Sequence, residues 1–290
     1  MIIRGVYAAA LSPRNSAGEL DTSGLRKLLQ FLLDSDICGF AMNGATGEFP
    51  ATTLSEAEQI FELTAKTVEG RATFLAGIGA STAAQVRKLA SLAARYGATA
   101  ALLPMPYFYR YSQQDLEIFC RTVAAEAELP ILLYNLPQFA TGLEADTVLR
   151  LISTCENIVG IKDSSGSLDI LERLTESAPR AVRIVGNDGV TATALASGVC
   201  DAVVSGVACV LPELLRKIHA DPDSNEPQQA LAEFIAQLDM LPTPWGLKLV
   251  AELRNIVPAV QALPIADKRA ANMVAIREWF AANADRLYID

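Results

Sequence analysis

Ile131-Leu132-Leu133-Tyr134-Asn135-Leu136, a helical pattern over 144–153, then Ile158-Val159-Gly160-Ile161-Lys162: this stretch decides the fold. Two short apolar runs flank a segment of helical period, the pattern of parallel strands joined by a crossover helix. Both runs are apolar at nearly every position, as strands covered on both faces are. The unit recurs along the chain. Further strand candidates lie at 6–11, 37–43, 73–78, 99–104, 183–187 and 202–205, with helical patterns near 22–35, 55–69, 82–96, 112–126, 167–176, 189–197 and 212–219. Ser55 with Glu58 three residues on reads as a capping box, and Gly97 as the glycine that ends a helix. Eight strand–helix units before Asp221 favour a (β/α)8 TIM barrel over an open doubly wound sheet, the alternative that pattern alone leaves.

Beyond Asp221 the rhythm changes to helices only, near 226–239, 244–255 and 265–282. The sequence therefore predicts a barrel over 1–221 and a C-terminal helical extension over 222–290 packed on it. Asp221-Pro222-Asp223-Ser224-Asn225 forms the polar turn between them.

Composition excludes several function classes. The chain is 51% hydrophobic, yet no apolar run reaches the roughly 18 residues of a spanning helix, and the N-terminus lacks a leader pattern. A soluble cytoplasmic protein with no membrane partner is expected. A net charge of −9 supplies no basic stripe for phosphates, so no nucleic acid partner is expected either. The five cysteines are dispersed without a C-x-x-C and read as reduced core thiols. The single histidine, His219, stands at the end of a helical pattern, where it reads as a solvent-facing residue. Histidine triads and multi-histidine metal sites are thereby removed, and no glycine-rich nucleotide motif follows a strand.

A barrel places its site at the C-terminal ends of the strands. Lys162 is one of seven lysines, and the other six fall in helical patterns. An ammonium finishing a buried strand loses hydration, which favours the free amine, the nucleophilic form. The alternative is a lysine reaching out to pair with Asp163 or a helix carboxylate. Tyr134 ends the neighbouring strand, and a phenol beside an amine can pass protons; alone it could equally be a barrel-mouth tyrosine with a satisfied hydroxyl. Gly44-Ala45-Thr46-Gly47-Glu48 follows strand two, and its glycines let backbone N–H groups and the Thr46 hydroxyl form an anion nest. Any tight loop after a strand wants glycine, but amine, phenol and nest together suit a 2-keto acid, ketone to Lys162 and carboxylate to the nest.

These residues also carry a resemblance. Gly44-Ala45-Thr46-Gly47-Glu48, Tyr134-Asn135-Leu136-Pro137 and Gly160-Ile161-Lys162-Asp163 resemble the signatures of the dihydrodipicolinate synthase / N-acetylneuraminate lyase family. The likeness continues through Pro106-Tyr107-Phe108, Gly186-Asn187-Asp188 and Ser205-Gly206 to the helical tail. It implies a homotetrameric class I aldolase or lyase with no metal or organic cofactor, its only covalent group being the lysine–substrate imine. Lys162 is then the Schiff-base lysine and Tyr134 the proton carrier. Ala45, Thr46 and Gly47 hold the pyruvyl carboxylate, and Val204, Tyr107, Phe108 and Phe139 line the pocket.

Departures bear on the branch. The synthase has a hydroxyl residue where this chain has Ala45, an interface tyrosine where it has Phe108, and an arginine in the stretch that here reads Gln138-Phe139-Ala140-Thr141-Gly142. Tyr107 and Tyr109 are the candidates to replace the missing phenol. With Asp163 and Glu48-Phe49, these differences look nearer the 2-keto-3-deoxy sugar acid aldolases and dehydratases. Dihydrodipicolinate synthesis from pyruvate and aspartate semialdehyde is the alternative. Sialic acid cleavage and a non-catalytic barrel that binds a keto acid are weaker ones.

Overall fold

A computed structural model describes residues 2–287 of the chain. Eight strands, β1 (Gly5–Ala9), β2 (Gly39–Met42), β3 (Thr73–Gly77), β4 (Ala100–Pro104), β5 (Ile131–Asn135), β6 (Ile158–Asp163), β7 (Val182–Val185) and β8 (Ala202–Ser205), close in sequence order into a parallel barrel. Closure is direct: Gly5 to Ala8 on β1 pair with Ala202 to Ser205 on β8. The open-sheet alternative is excluded.

Helices α1 (Thr22–Asp34), α2 (Leu54–Val68), α3 (Ala83–Arg95), α4 (Gln113–Glu126), α5 (Ala145–Thr154), α6 (Asp169–Ser177), α7 (Thr191–Ala196) and α8 (Pro212–Ala220) surround the strands. Then follow α9 (Asn225–Leu238), α10 (Trp245–Leu253) and α11 (Asp267–Asn283). The polar turn expected at 221–225 lies between α8 and α9 but is one residue shorter, since Asn225 already opens α9. Met1 and residues 288–290, the ends of the ranges expected for barrel and extension, lie outside the described residues.

Period-two alternation sorts each strand. Tyr7, Ala9, Ala41, Leu75, Leu102, Leu132, Ile184 and Val204 pack together inside the barrel, and small residues at several of these positions leave its mouth room. Val6, Ala8, Phe40, Met42, Leu103, Ile161 and Val203 face outward to the helices. On α1 the buried Leu25, Leu28, Leu29 and Leu32 follow helical spacing, and Asp21 caps the helix by accepting from the Ser23 and Gly24 amides. Phe234 on α9 and Val250 and Ala251 on α10 belong to the same buried cluster as the barrel's outer face, so the last helices share its core.

Two local expectations resolve differently. The capping box on α2 is formed by Thr53 and Glu56, not by Ser55 and Glu58. Thr53 is extended and the helix begins at Leu54, so Ser55 already lies inside it, and Glu58 instead accepts from Arg95 and Tyr96. The helix expected at 189–197 opens as a 3-10 turn over Asp188–Val190 before α7. Gly97 performs as expected: at φ 74°, a left-handed value that suits glycine, it follows α3, and the next amide, Ala98, returns to the Ala93 carbonyl.

Candidate active site

The register of β5 against β6 sets Tyr134 opposite Lys162 and Asn135 opposite Asp163. By the alternation above, Tyr134 and Lys162 face the barrel interior while Asn135 and Asp163 face out. Both inward side chains are 3% exposed, and the Lys162 ammonium donates to the Tyr134 hydroxyl at 2.9 Å. Its nitrogen also lies 4.1 Å from the centroid of the tyrosine ring. Among the described residues, no carboxylate forms an ion pair with Lys162, so the alternative of a structural lysine paired to Asp163 does not hold.

Gly186, just past β7, explains how the amine is packed. A Cβ there would come within 2.7 Å of Lys162 Cε and 2.3 Å of Ser164 Oγ, so only glycine lets the lysine lie against this backbone. Ser164 donates to the Gly186 carbonyl at 3.0 Å, and Gln138 donates to the Ser164 carbonyl at 2.8 Å.

The amine and phenol line a cavity of about 420 Å³. Ala45 and Thr46 stand on its wall. In the turn they belong to, the Glu48 and Phe49 amides return to the Ala45 and Gly44 carbonyls at 3.0 and 3.2 Å. The amides of Ala45, Thr46 and Gly47 have no acceptor among the described residues, as an anion nest requires. Gly47 belongs to the turn but not to the cavity wall; a Cβ on it would come within 3.0 Å of Ser12 Oγ and 3.2 Å of the Ala10 carbonyl.

The remaining candidates divide. Val204 and Phe139 line the cavity, Phe139 at its mouth and 60% exposed. Tyr107 does not; it stacks edge-on against Phe49 at 5.6 Å and lines an adjoining apolar cavity of about 370 Å³. Phe108 lines neither, being 86% exposed in a left-handed conformation at φ 82°, edge-on to the exposed Tyr109. The expected pocket role of Phe108 therefore finds no support within one chain, and Tyr107 and Tyr109 do not reach Tyr134. Among the described residues no arginine stands on the wall, as the 138–142 stretch implied.

Residues that sequence reasoning left out complete the site. Asp188, half-buried as a residue, stands on the wall; its Oδ2 accepts the Val207 amide at 3.3 Å, and its buried Oδ1 has no partner among the described residues. Burial pushes its carboxyl above the ordinary value, against the Ser205 hydroxyl, the Val207 amide and the Lys162 charge, which pull it down. Its signal was the polar run Gly186-Asn187-Asp188 at a strand end, easily taken for a plain turn. The far wall comes from the last helices: Ile235, Leu238 and Asp239, the Pro242-Thr243-Pro244 segment, and Gly246 and Leu247 of α10. Nothing in their local sequence places them over a barrel mouth.

Among the described residues no three His, Cys, Asp or Glu side chains gather as a metal site, and no helix is long and apolar enough to cross a membrane.

Comparison with known proteins agrees with this geometry. Residues 2–276 match the dihydrodipicolinate synthetase family. The 4-hydroxy-tetrahydrodipicolinate synthase of Aromatoleum aromaticum is 34% identical over 220 residues, 76% of this chain and 75% of that protein. That of Bacillus subtilis is 28% identical over 267 residues, 90% of this chain and 92% of that one. The crystal structure of dihydrodipicolinate synthase from Aquifex aeolicus superposes with a TM-score of 0.90 at 26% identity, covering 97% of this chain and 98% of that one. An N-acetylneuraminate lyase from Mycoplasma synoviae shares the fold, with a TM-score of 0.84 at 21% identity over 96% of this chain and 97% of that one. With the family match running nearly end to end over a barrel that buries a lysine–tyrosine pair, the chain belongs to the dihydrodipicolinate synthetase family and is an enzyme of its lyase-type, class I aldolase kind.

Proposed function

We propose that this enzyme binds pyruvate, or a 2-keto acid that yields it, as an imine on Lys162, with Tyr134 moving the protons and the Ala45 and Thr46 amides holding the carboxylate. The observation that carries this reading is the 2.9 Å hydrogen bond from a buried lysine to a buried tyrosine, on the wall of a cavity that also presents acceptor-free amides. The Lys162 amine adds to the ketone, and the carbinolamine loses water to give an iminium. Loss of a C3 proton, or cleavage of the C3–C4 bond, leaves an enamine; addition to an aldehyde is the reverse of cleavage, and water finally releases the keto acid. Tyr134 is placed to hand the carbinolamine oxygen its proton and to take one back. No organic cofactor or metal enters this scheme, which needs only the lysine imine.

For the second substrate, the names of the relatives support condensation with aspartate semialdehyde, the activity of a 4-hydroxy-tetrahydrodipicolinate synthase. They give no support to placing the chain nearer the 2-keto-3-deoxy sugar acid aldolases. One observation keeps sugar acid cleavage as a second reading: the wall has no guanidinium to hold another carboxylate, but it has Asp188, Ser164 and Gln138 to meet hydroxyls. The proposal extends to a barrel unit over 1–221 with the helical unit 222–290 completing its site, and to a homotetramer.

Borohydride added with pyruvate tests the first step. One reduced pyruvyl adduct on the peptide carrying Lys162 is expected; no adduct in the parent enzyme, or an undiminished one in Lys162→Ala, refutes the imine. Comparative rates settle the second step, with pyruvate plus aspartate semialdehyde expected to outrun cleavage of 2-keto-3-deoxygluconate. The opposite order transfers the assignment to sugar acids.

A further inference from the structure

The carboxylate of Glu48, the last residue of the nest turn, is held by α10. Its Oε2 pairs with the Lys248 ammonium in a contact that leaves the side chains 13% and 4% exposed. Lys248 donates a second bond, 2.9 Å, to the Val260 carbonyl, while Glu48 Oε2 accepts no other hydrogen bond among the described residues. Glu48 itself is left-handed at φ 56°, a conformation that L side chains seldom adopt.

Three facts make this pair more than a structural rivet. A buried ion pair stabilises little, because desolvation offsets the attraction, and an apolar pair of similar volume often serves as well. Strain at a left-handed glutamate persists only where the surroundings hold it. And the pair joins two walls of one cavity. Gly206 sits between them: a Cβ on it would lie 3.3 Å from Leu247 of α10 and 3.5 Å from the Thr46 hydroxyl.

We propose that Glu48 and Lys248 are positioning residues whose ion pair fixes the nest turn against α10, so that the C-terminal helices set the enzyme's affinity for the carboxylate of its keto acid. The inference rests on the assignment of the nest as the carboxylate site. The pair makes no hydrogen bond or ion pair with Lys162, so it governs binding of the acid group and not the chemistry at the carbonyl.

The test compares pyruvate with its uncharged methyl ester in imine trapping by borohydride. In Lys248→Met the concentration of pyruvate that gives half-maximal trapping should rise by about tenfold, a loss of the size that slight misplacement produces. Trapping at saturation should be unchanged, and the half-maximal concentration of the ester should move less than about twofold, because the ester has no carboxylate to misplace. Glu48→Gln keeps the side-chain volume and an acceptor for Lys248, so it tests the proposal even if Lys248→Met does not fold; its shift should have the same direction. The double variant Glu48→Gln/Lys248→Met should be no worse than the poorer single one, since no buried charge is then left alone. Equal loss for ester and pyruvate, or a lowered melting temperature with unchanged pyruvate affinity, overturns the inference. Absence of any adduct in the parent enzyme would instead defeat the Lys162 imine reading.

Discussion

Asn135 and Asp163 stand back to back with the reactive pair, one residue further along the same two strands. The Asn135 amide donates to Asp163 Oδ1 at 3.1 Å, and its oxygen accepts the Leu143 amide at 3.0 Å; all of this is buried. Burial pushes the Asp163 carboxyl up, against the Ser165 and Asn135 hydrogen bonds that lower it. The couple thus pins β5 to β6 on the outer face while Tyr134 meets Lys162 on the inner one. Asn135→Ala leaves the Leu143 amide unpaired and removes a donor from a buried carboxylate, so urea unfolding should report a loss of about 2 kcal/mol. Trapping at Lys162 should slow as well, because the phenol–amine distance loses its backing. At this scale the sequence was informative wherever a polar side chain interrupted an apolar strand. Lys162 and Tyr134 were legible for that reason. Asp188 was not, because its burial comes from Gly206, Val207 and the far wall, which no local pattern reveals. Phe108 misled for a related reason: its place beside the site in sequence does not carry over to a place in the cavity.

Helices and strands were read more securely than their ends. All eight strands were expected near where they lie, since each is a short apolar run between amphipathic segments. The cap of α2 was misplaced by two residues because two capping-box patterns overlap, Thr53 with Glu56 and Ser55 with Glu58. A tertiary side-chain contact decides between them. Arg14, itself buried, donates to Glu56 at 2.6 Å and to the Ala51 carbonyl at 3.3 Å, and so holds the first turn where Thr53 caps it. A difference follows between two similar substitutions. Thr53→Ala should cost about 1 kcal/mol by thermal or urea unfolding, and Ser55→Ala, inside the exposed first turn, less than about 0.5 kcal/mol. A larger cost for Ser55→Ala than for Thr53→Ala would return the cap to Ser55.

The whole molecule shows what pattern reading cannot supply. Period and composition lead to the barrel, but the cavity's far wall is a tertiary fact, since α9 and α10 fold back over strands far from them in the chain. Assembly is a question at the same scale. Phe108 and Tyr109, 86% and 67% exposed, form an aromatic projection at the barrel mouth of the kind a lone chain seldom leaves in water. The proposed tetramer should appear in light scattering as four times the chain mass, and Phe108→Asp combined with Tyr109→Asp should lower that mass if the projection is buried between copies. A monomeric parent would end the proposal. The wall supplied by α9 and α10 also has a consequence for synthesis. All eight strands are translated before Ile235, Leu238 and Leu247, so the residues of the ring are all made while one wall of the reaction chamber has still to be synthesised. The capacity to hold a substrate is therefore among the last things this chain acquires as it is made.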